Sequence, residues 1–169
     1  MSVRTERPDD PPSRAVRVRV ANATLDADLV EVRGACGIVA FAHGSGSSRH
    51  STRNREVARQ LHRASLSTLL LDLLTRDEER EDETTRAWRF DIPLLASRLV
   101  AVTDWLADEP GTGSLPLGYF GASTGAAAAL IAAAGRPAST SRAGADEARR
   151  PSQDSGAERT AGAGTAAAG

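Results

Sequence analysis

Three short apolar runs restrict this chain more than any other feature. Gly37 to His43, Ser67 to Leu71 and Leu115 to Phe120 lack the polar alternation of a one-sided strand, so each reads as a strand covered on both faces, as in a parallel sheet. Parallel neighbours need crossover connections, and helical patterns lie between the runs. From Asn54 to Ala64, Val57, Ala58 and Leu61 form one apolar stripe among Arg and Gln. Ile92, Leu95, Ala96, Leu99, Val102 and Leu106 form another, with Asp91 as its cap and Pro110 beyond its end. Thr124 to Ala134 is an alanine-rich helix former. The expected fold class is α/β, a mostly parallel sheet with flanking helices.

The periphery reads differently. Arg14 to Val20 alternates apolar and charged residues and Leu25 to Val32 repeats the pattern more weakly, which suggests a half-exposed edge hairpin. Thr75 to Arg86 is dense in Asp, Glu and Arg and is expected to be a solvated loop or a frayed helical turn. Residues 1–13 carry Arg, Asp and Pro with little that is apolar, a disordered lead-in. Past Ile131 no Leu, Ile, Val, Met, Phe, Tyr or Trp occurs again. Residues 138–169 are therefore expected to be a disordered low-complexity tail, leaving 14–137 as one partial domain.

Composition removes several function classes. A formal net charge of −1 gives no global field for nucleic acid or an anionic membrane, and neither is expected as a partner. Every basic residue other than His is Arg, so the lysine of a P-loop, a Schiff base or a Ser-Lys dyad is excluded. The single Cys36 cannot form an internal disulfide, no stretch has the order of a signal peptide, and no apolar run approaches the ~20 residues that cross a bilayer. The chain is read as cytoplasmic, without cofactor or metal.

The chemistry concentrates in two glycine-rich turns. Gly121-Ala122-Ser123-Thr124-Gly125 lies between an apolar strand and a helix former, the strand-turn-helix setting of a nucleophile elbow. Ser123 is the expected nucleophile, held in strained backbone geometry where bulky flanking side chains would collide. The competing reading is a helix-capping serine. His43-Gly44-Ser45-Gly46-Ser47-Ser48 follows another buried strand, where α/β-hydrolases carry the loop that completes the oxyanion hole. The backbone amides of Ser45 and Thr124 are the expected donors to the developing charge. A phosphate loop fits poorly: the third dinucleotide-fold glycine is missing and there is no Lys for a Walker pattern.

With these residues in view, the chain resembles the dienelactone hydrolase family of α/β-hydrolases, in its actinobacterial form with a serine nucleophile. The resemblance runs from Val16 to about Pro137 and is carried by Phe41 to Arg55, Leu69 to Thr75, Arg89 to Ile92 and Gly118 to Leu130. It implies hydrolysis of a small carboxylic ester or lactone through an acyl-enzyme. The enzyme that names the family uses a cysteine nucleophile, so dienelactone itself does not carry over as the substrate.

The triad of this fold runs nucleophile, acid, histidine. All three histidines, His43, His50 and His62, precede Ser123, so the general base is missing from its expected place. His43 is expected to brace the oxyanion loop, with a minor chance of serving as base. His50, beside Arg49, Arg53 and Asn54, is a polar group that could meet an anionic substrate group, and His62, near Arg59 and Arg63, is expected to be exposed. Asp146, Glu147, Asp154 and Glu158 follow the elbow, but in the tail. A truncation or reading-frame shift near Pro137 would remove the C-terminal strands, impair turnover and leave a sheet edge open to self-association. The alternative is a non-catalytic binding remnant of a hydrolase.

Overall fold

A computed structural model describes residues 11–135. They form β1 (Ser13–Val20), β2 (Ala23–Val30), β3 (Gly37–Ala42), α1 (Thr52–Arg63), β4 (Leu66–Leu71), α2 (Arg76–Thr85), α3 (Ile92–Asp108), β5 (Leu117–Gly121) and α4 (Thr124–Ala134), with a 3-10 turn at Trp88–Phe90. The expected lead-in lies outside the described residues except for its last three, of which Ser13 already opens β1. The expected tail lies wholly outside them.

The strands assemble as β1-β2-β4-β3-β5. The three apolar runs sit side by side and parallel: Ala40 of β3 is opposite Leu69 of β4 and Tyr119 of β5. The first two strands form an antiparallel hairpin, Val20 opposite Ala23, and β2 then pairs antiparallel with β4. The hairpin lies at the sheet edge as expected, with β1 outermost, but the expected half-exposure is corrected for β2, which is paired on both sides. The weak alternation of β2 has its cause here: Ala27, Leu29 and Val30 are buried inside the sheet.

Side chains of alternate parity leave β3 on opposite faces and define two cores. Ile38, Ala40 and Ala42 join Leu69 and Leu71 beneath Leu95, Leu99, Val102 and Leu106 of α3 and Ala128 and Ala132 of α4. Phe41 and Leu70 instead meet Ala58, Val57 and Leu61 of α1 on the other face. Helices thus cover both faces, and each fully buried aliphatic side chain contributes about 1.5–3 kcal/mol. Local signals set the helix starts. Ser51 Oγ accepts the Asn54 N–H at 3.3 Å, and Asp91 Oδ1 accepts the Leu94 N–H at 3.0 Å, with Pro93 in the first turn of α3.

The charge run is also corrected. Arg76–Thr85 is a helix started by a reciprocal capping box: Thr75 Oγ1 accepts the Glu78 N–H, and Glu78 accepts the Thr75 N–H at 2.8 Å. Two ion pairs dock it. Arg98 of α3, buried, donates to both Glu78 oxygens at 2.6 and 2.7 Å and to the Leu73 carbonyl at 2.7 Å. Arg89 grips Asp82, which is 3% exposed, through its backbone N–H at 3.0 Å and through its guanidinium.

Candidate active site

The loops that follow β3, β4 and β5 meet at the carboxyl ends of the parallel strands, where open α/β sheets bind their ligands. At the end of β5 the chain makes the expected sharp turn. Ser123 has φ 52° and ψ −125°, a conformation sparsely used by residues with a side chain. It stands at the N-terminus of α4 but makes no capping hydrogen bond, which removes the helix-capping reading. Space explains the flanking residues. A Cβ on Gly125 would run into the carbonyls of Ala42 and His43, and one on Gly121 would lie 2.6 Å from Ala126 Cα. The helix can leave the strand this steeply only without those side chains.

The loop after β3 packs directly on the elbow. A Cβ on Gly44 would lie 3.2 Å from Ser123 Cβ and 3.0 Å from the Ala122 carbonyl, and Ser45 Oγ is 3.5 Å from Thr124 Oγ1. The two residues expected to supply oxyanion-hole amides are therefore neighbours. Among the described residues neither amide donates to another backbone or side-chain acceptor.

His43 is buried beneath this loop. Its Nε2 accepts the Leu73 N–H at 3.1 Å and its Nδ1 faces the Gly44 carbonyl at 3.0 Å, so the partners define a neutral ring protonated on Nδ1. Taking a proton on Nε2 would break the bond to Leu73, and the ring is placed as a brace between two loops. The other histidines are engaged elsewhere. His50 Nδ1 accepts from Arg55 Nη2 at 2.9 Å. His62 is half-buried, contrary to expectation, and its Nε2 lies 2.8 Å from Thr68 Oγ1. No hydrogen bond joins the Ser123 hydroxyl to a histidine or carboxylate among the described residues.

Arg49 also departs from the anion-binding reading. Its backbone N–H donates to Asp72 Oδ1 at 2.7 Å, its guanidinium pairs with Asp72 Oδ2, and Asp28 and Asp26 stand 3.8 and 3.9 Å from it. Arg55 adds contacts to Asp28 at 3.3 Å and to the Arg49 carbonyl at 3.4 Å. This cluster fastens the far end of the glycine-rich loop after β3 to β2 and to the end of β4, so Arg49 acts as an anchor. Sequence reasoning missed Asp72, although an aspartate directly after a buried strand is an available signal.

The elbow and the loop open onto a cleft of about 240 Å³. Ser45 to Ser48 and Thr124 form one wall, Leu73, Leu74 and Leu95 supply apolar lining, and Glu79, Asp82 and Glu83 of α2 line it with Arg89. The volume lies just below the usual range for small-molecule sites, about 300–1,000 Å³. Burial, then the nearby Asp72 charge, push the Glu79 carboxyl above its ordinary range. No group of His, Cys, Asp and Glu among the described residues could hold a metal ion, and no described helix is long and apolar enough to cross a membrane.

A solved dienelactone hydrolase from Anabaena variabilis is 59% identical, superposes with a TM-score of 0.75, and aligns over 77% of this chain and 60% of its own. Over that share of its length the chain is similar to this dienelactone hydrolase and has the α/β-hydrolase fold. More distant structures share the fold. They include the Butyrivibrio proteoclasticus protein Est1E at 19% identity and TM-score 0.57, over 71% of this chain and 45% of that one. A Xanthomonas campestris α/β serine hydrolase without a lid, at 21% identity and TM-score 0.56, aligns over 76% of this chain and 57% of its own. No protein-family profile matches the chain. A Mycobacterium tuberculosis protein named "Putative phosphoribosyl transferase" is 58% identical over 127 residues, 74% of this chain. The chain spans only 28% of the length of that relative.

Proposed function

We propose that the cleft is the acyl site of a serine hydrolase, acting on small carboxylic esters or lactones, with Ser123 attacking the carbonyl carbon. The Ser45 and Thr124 amides receive the oxyanion, and His43 keeps the loop that carries Ser45 in place. The observation that carries this reading is the backbone of Ser123, at φ 52° against the glycine loop, because strain of this kind persists where surrounding packing enforces it. Such an elbow presents a hydroxyl above the sheet for attack.

Turnover by this chain alone is proposed to be impaired. No histidine or carboxylate among the described residues hydrogen-bonds the Ser123 hydroxyl, and general-base assistance is worth about 10²–10⁴ in rate. The test is to follow hydrolysis of a short chromogenic ester with and without added imidazole, and in parallel covalent labelling by a fluorophosphonate. The expected result is slow turnover raised by imidazole, and labelling confined to Ser123 and lost in Ser123→Ala. Turnover indifferent to that substitution would remove the catalytic reading and leave a binding remnant.

A further inference from the structure

The cleft beside the elbow has walls of unequal charge. Its loop side offers hydroxyls and backbone, and Leu73, Leu74 and Leu95 are apolar. Its α2 side offers three carboxylates. One of these, Asp82, is held by Arg89, the lone cation lining the cleft among the described residues. Glu79 and Glu83, one helical turn apart on the same face, make no ion pair among those residues. Arg49, clamped by Asp72 and Asp28, and Arg76, paired with Asp26, offset part of the Glu79 charge from outside the cleft, but neither lines it. An incoming ligand therefore meets two carboxylates that make no ion pair among the described residues, Glu79 half-buried and Glu83 exposed, and charge interactions near a protein surface exceed their strength in bulk water.

We infer that this cleft selects its acyl substrate by charge through Glu79 and Glu83, admitting neutral substrates, preferring those with a cationic group directed toward α2, and excluding carboxylated and phosphorylated ones. The inference rests on the cleft being the substrate site of Ser123. The raised Glu79 carboxyl agrees with it, since a site that already resists one negative charge resists another. For partly solvated charges several ångströms apart, each carboxylate is worth roughly five- to tenfold in affinity for a monovalent ligand. The preference must shrink as salt shortens the Debye length, from about 10 Å at 0.1 M to 3 Å at 1 M.

Because turnover is proposed to be slow, the test is equilibrium binding to the whole chain, followed by amide chemical shifts. Three non-hydrolysable acetamides of similar size serve as probes: neutral N-butylacetamide, (2-acetamidoethyl)trimethylammonium and N-acetyl-β-alaninate, with ribose 5-phosphate as a fourth. The expected order of affinity is cation, neutral, anion, spread over at least tenfold at low salt, with shifts at 43–48 and Thr124. The spread should collapse in Glu79→Gln/Glu83→Gln and persist in Glu81→Gln, a change at an exposed α2 position that does not line the cleft. A salt titration of the unaltered chain gives the same answer without relying on a variant. Equal affinities for the acetamides, or tight ribose 5-phosphate binding at 43–48, would overturn charge selection while leaving the cleft a binding site. If no probe moves those amides, the substrate-site reading fails and the inference fails with it.

Discussion

At Ser123 the structure holds a residue with a side chain where glycine would rest more easily. Strain of this class costs about 1–3 kcal/mol, so Ser123→Gly should raise unfolding stability by about 1 kcal/mol over Ser123→Ala while both lose fluorophosphonate labelling. Urea titrations of the pair measure the difference, and equal midpoints would mean an unstrained elbow. Gly125 responds in the opposite sense. A methyl there meets the carbonyls of Ala42 and His43, where β3 passes into the glycine-rich loop, and Gly125→Ala should destabilise the fold by about 1–3 kcal/mol. Asp72 acts at a distance from Ser123. Asp72→Asn leaves Arg49 facing weaker partners, and faster hydrogen exchange is expected at 44–51 before any change in the sheet. Ser123 and its glycines were legible because their spacing is a motif with a steric cause. Asp72 was not, since its role depends on Arg49 folding back onto it from a loop that no periodicity describes.

Helix α2 shows how a charge run becomes an element. Thr75 and Glu78 stand at capping-box spacing, so its start was readable, but its docking was not, because Arg98 lies 20 residues beyond Glu78. Burial works against both the Glu78 and Asp82 charges, yet hydrogen bonds from Arg98 and Arg89 outweigh it and hold both carboxyls below their ordinary values. A carboxyl depressed in the folded state adds stability that is present above its unfolded pKa and lost as pH falls through its folded one. Thermal stability should therefore hold from pH 5 upward and decline below about pH 4, and the decline should be shallower in Glu78→Gln. The sheet's two outer strands differ in a similar way. Strand β1 carries Arg14, Arg17 and Arg19, which discourage edge pairing, whereas β5 and α4 carry no charge and leave Phe120, Leu130 and Ile131 exposed by 37, 73 and 52%. Concentration-dependent association through that side is expected in sedimentation runs, and Leu130→Glu with Ile131→Lys should reduce it. Association undiminished in that double variant would place the contact elsewhere.

Across the whole molecule, the parallel centre was legible because uninterrupted apolar runs have few other places to go. The place of β2 was not, because a strand enclosed by pairing on both sides loses the alternation that marks it. That hairpin also reaches the site: Asp28 of β2 holds Arg55 and lies near Arg49, so the first two strands help to fix a loop that begins after the third. The same interdependence is tighter at the centre, where Gly125 fits against the last carbonyls of β3 and Gly44 fits against Ser123. Neither turn can relax without displacing the other. The pair of turns consequently has no half-built form, and any excursion that frees the glycine loop also releases the serine from its forced pose, so amide exchange across the two turns should share a single opening rate.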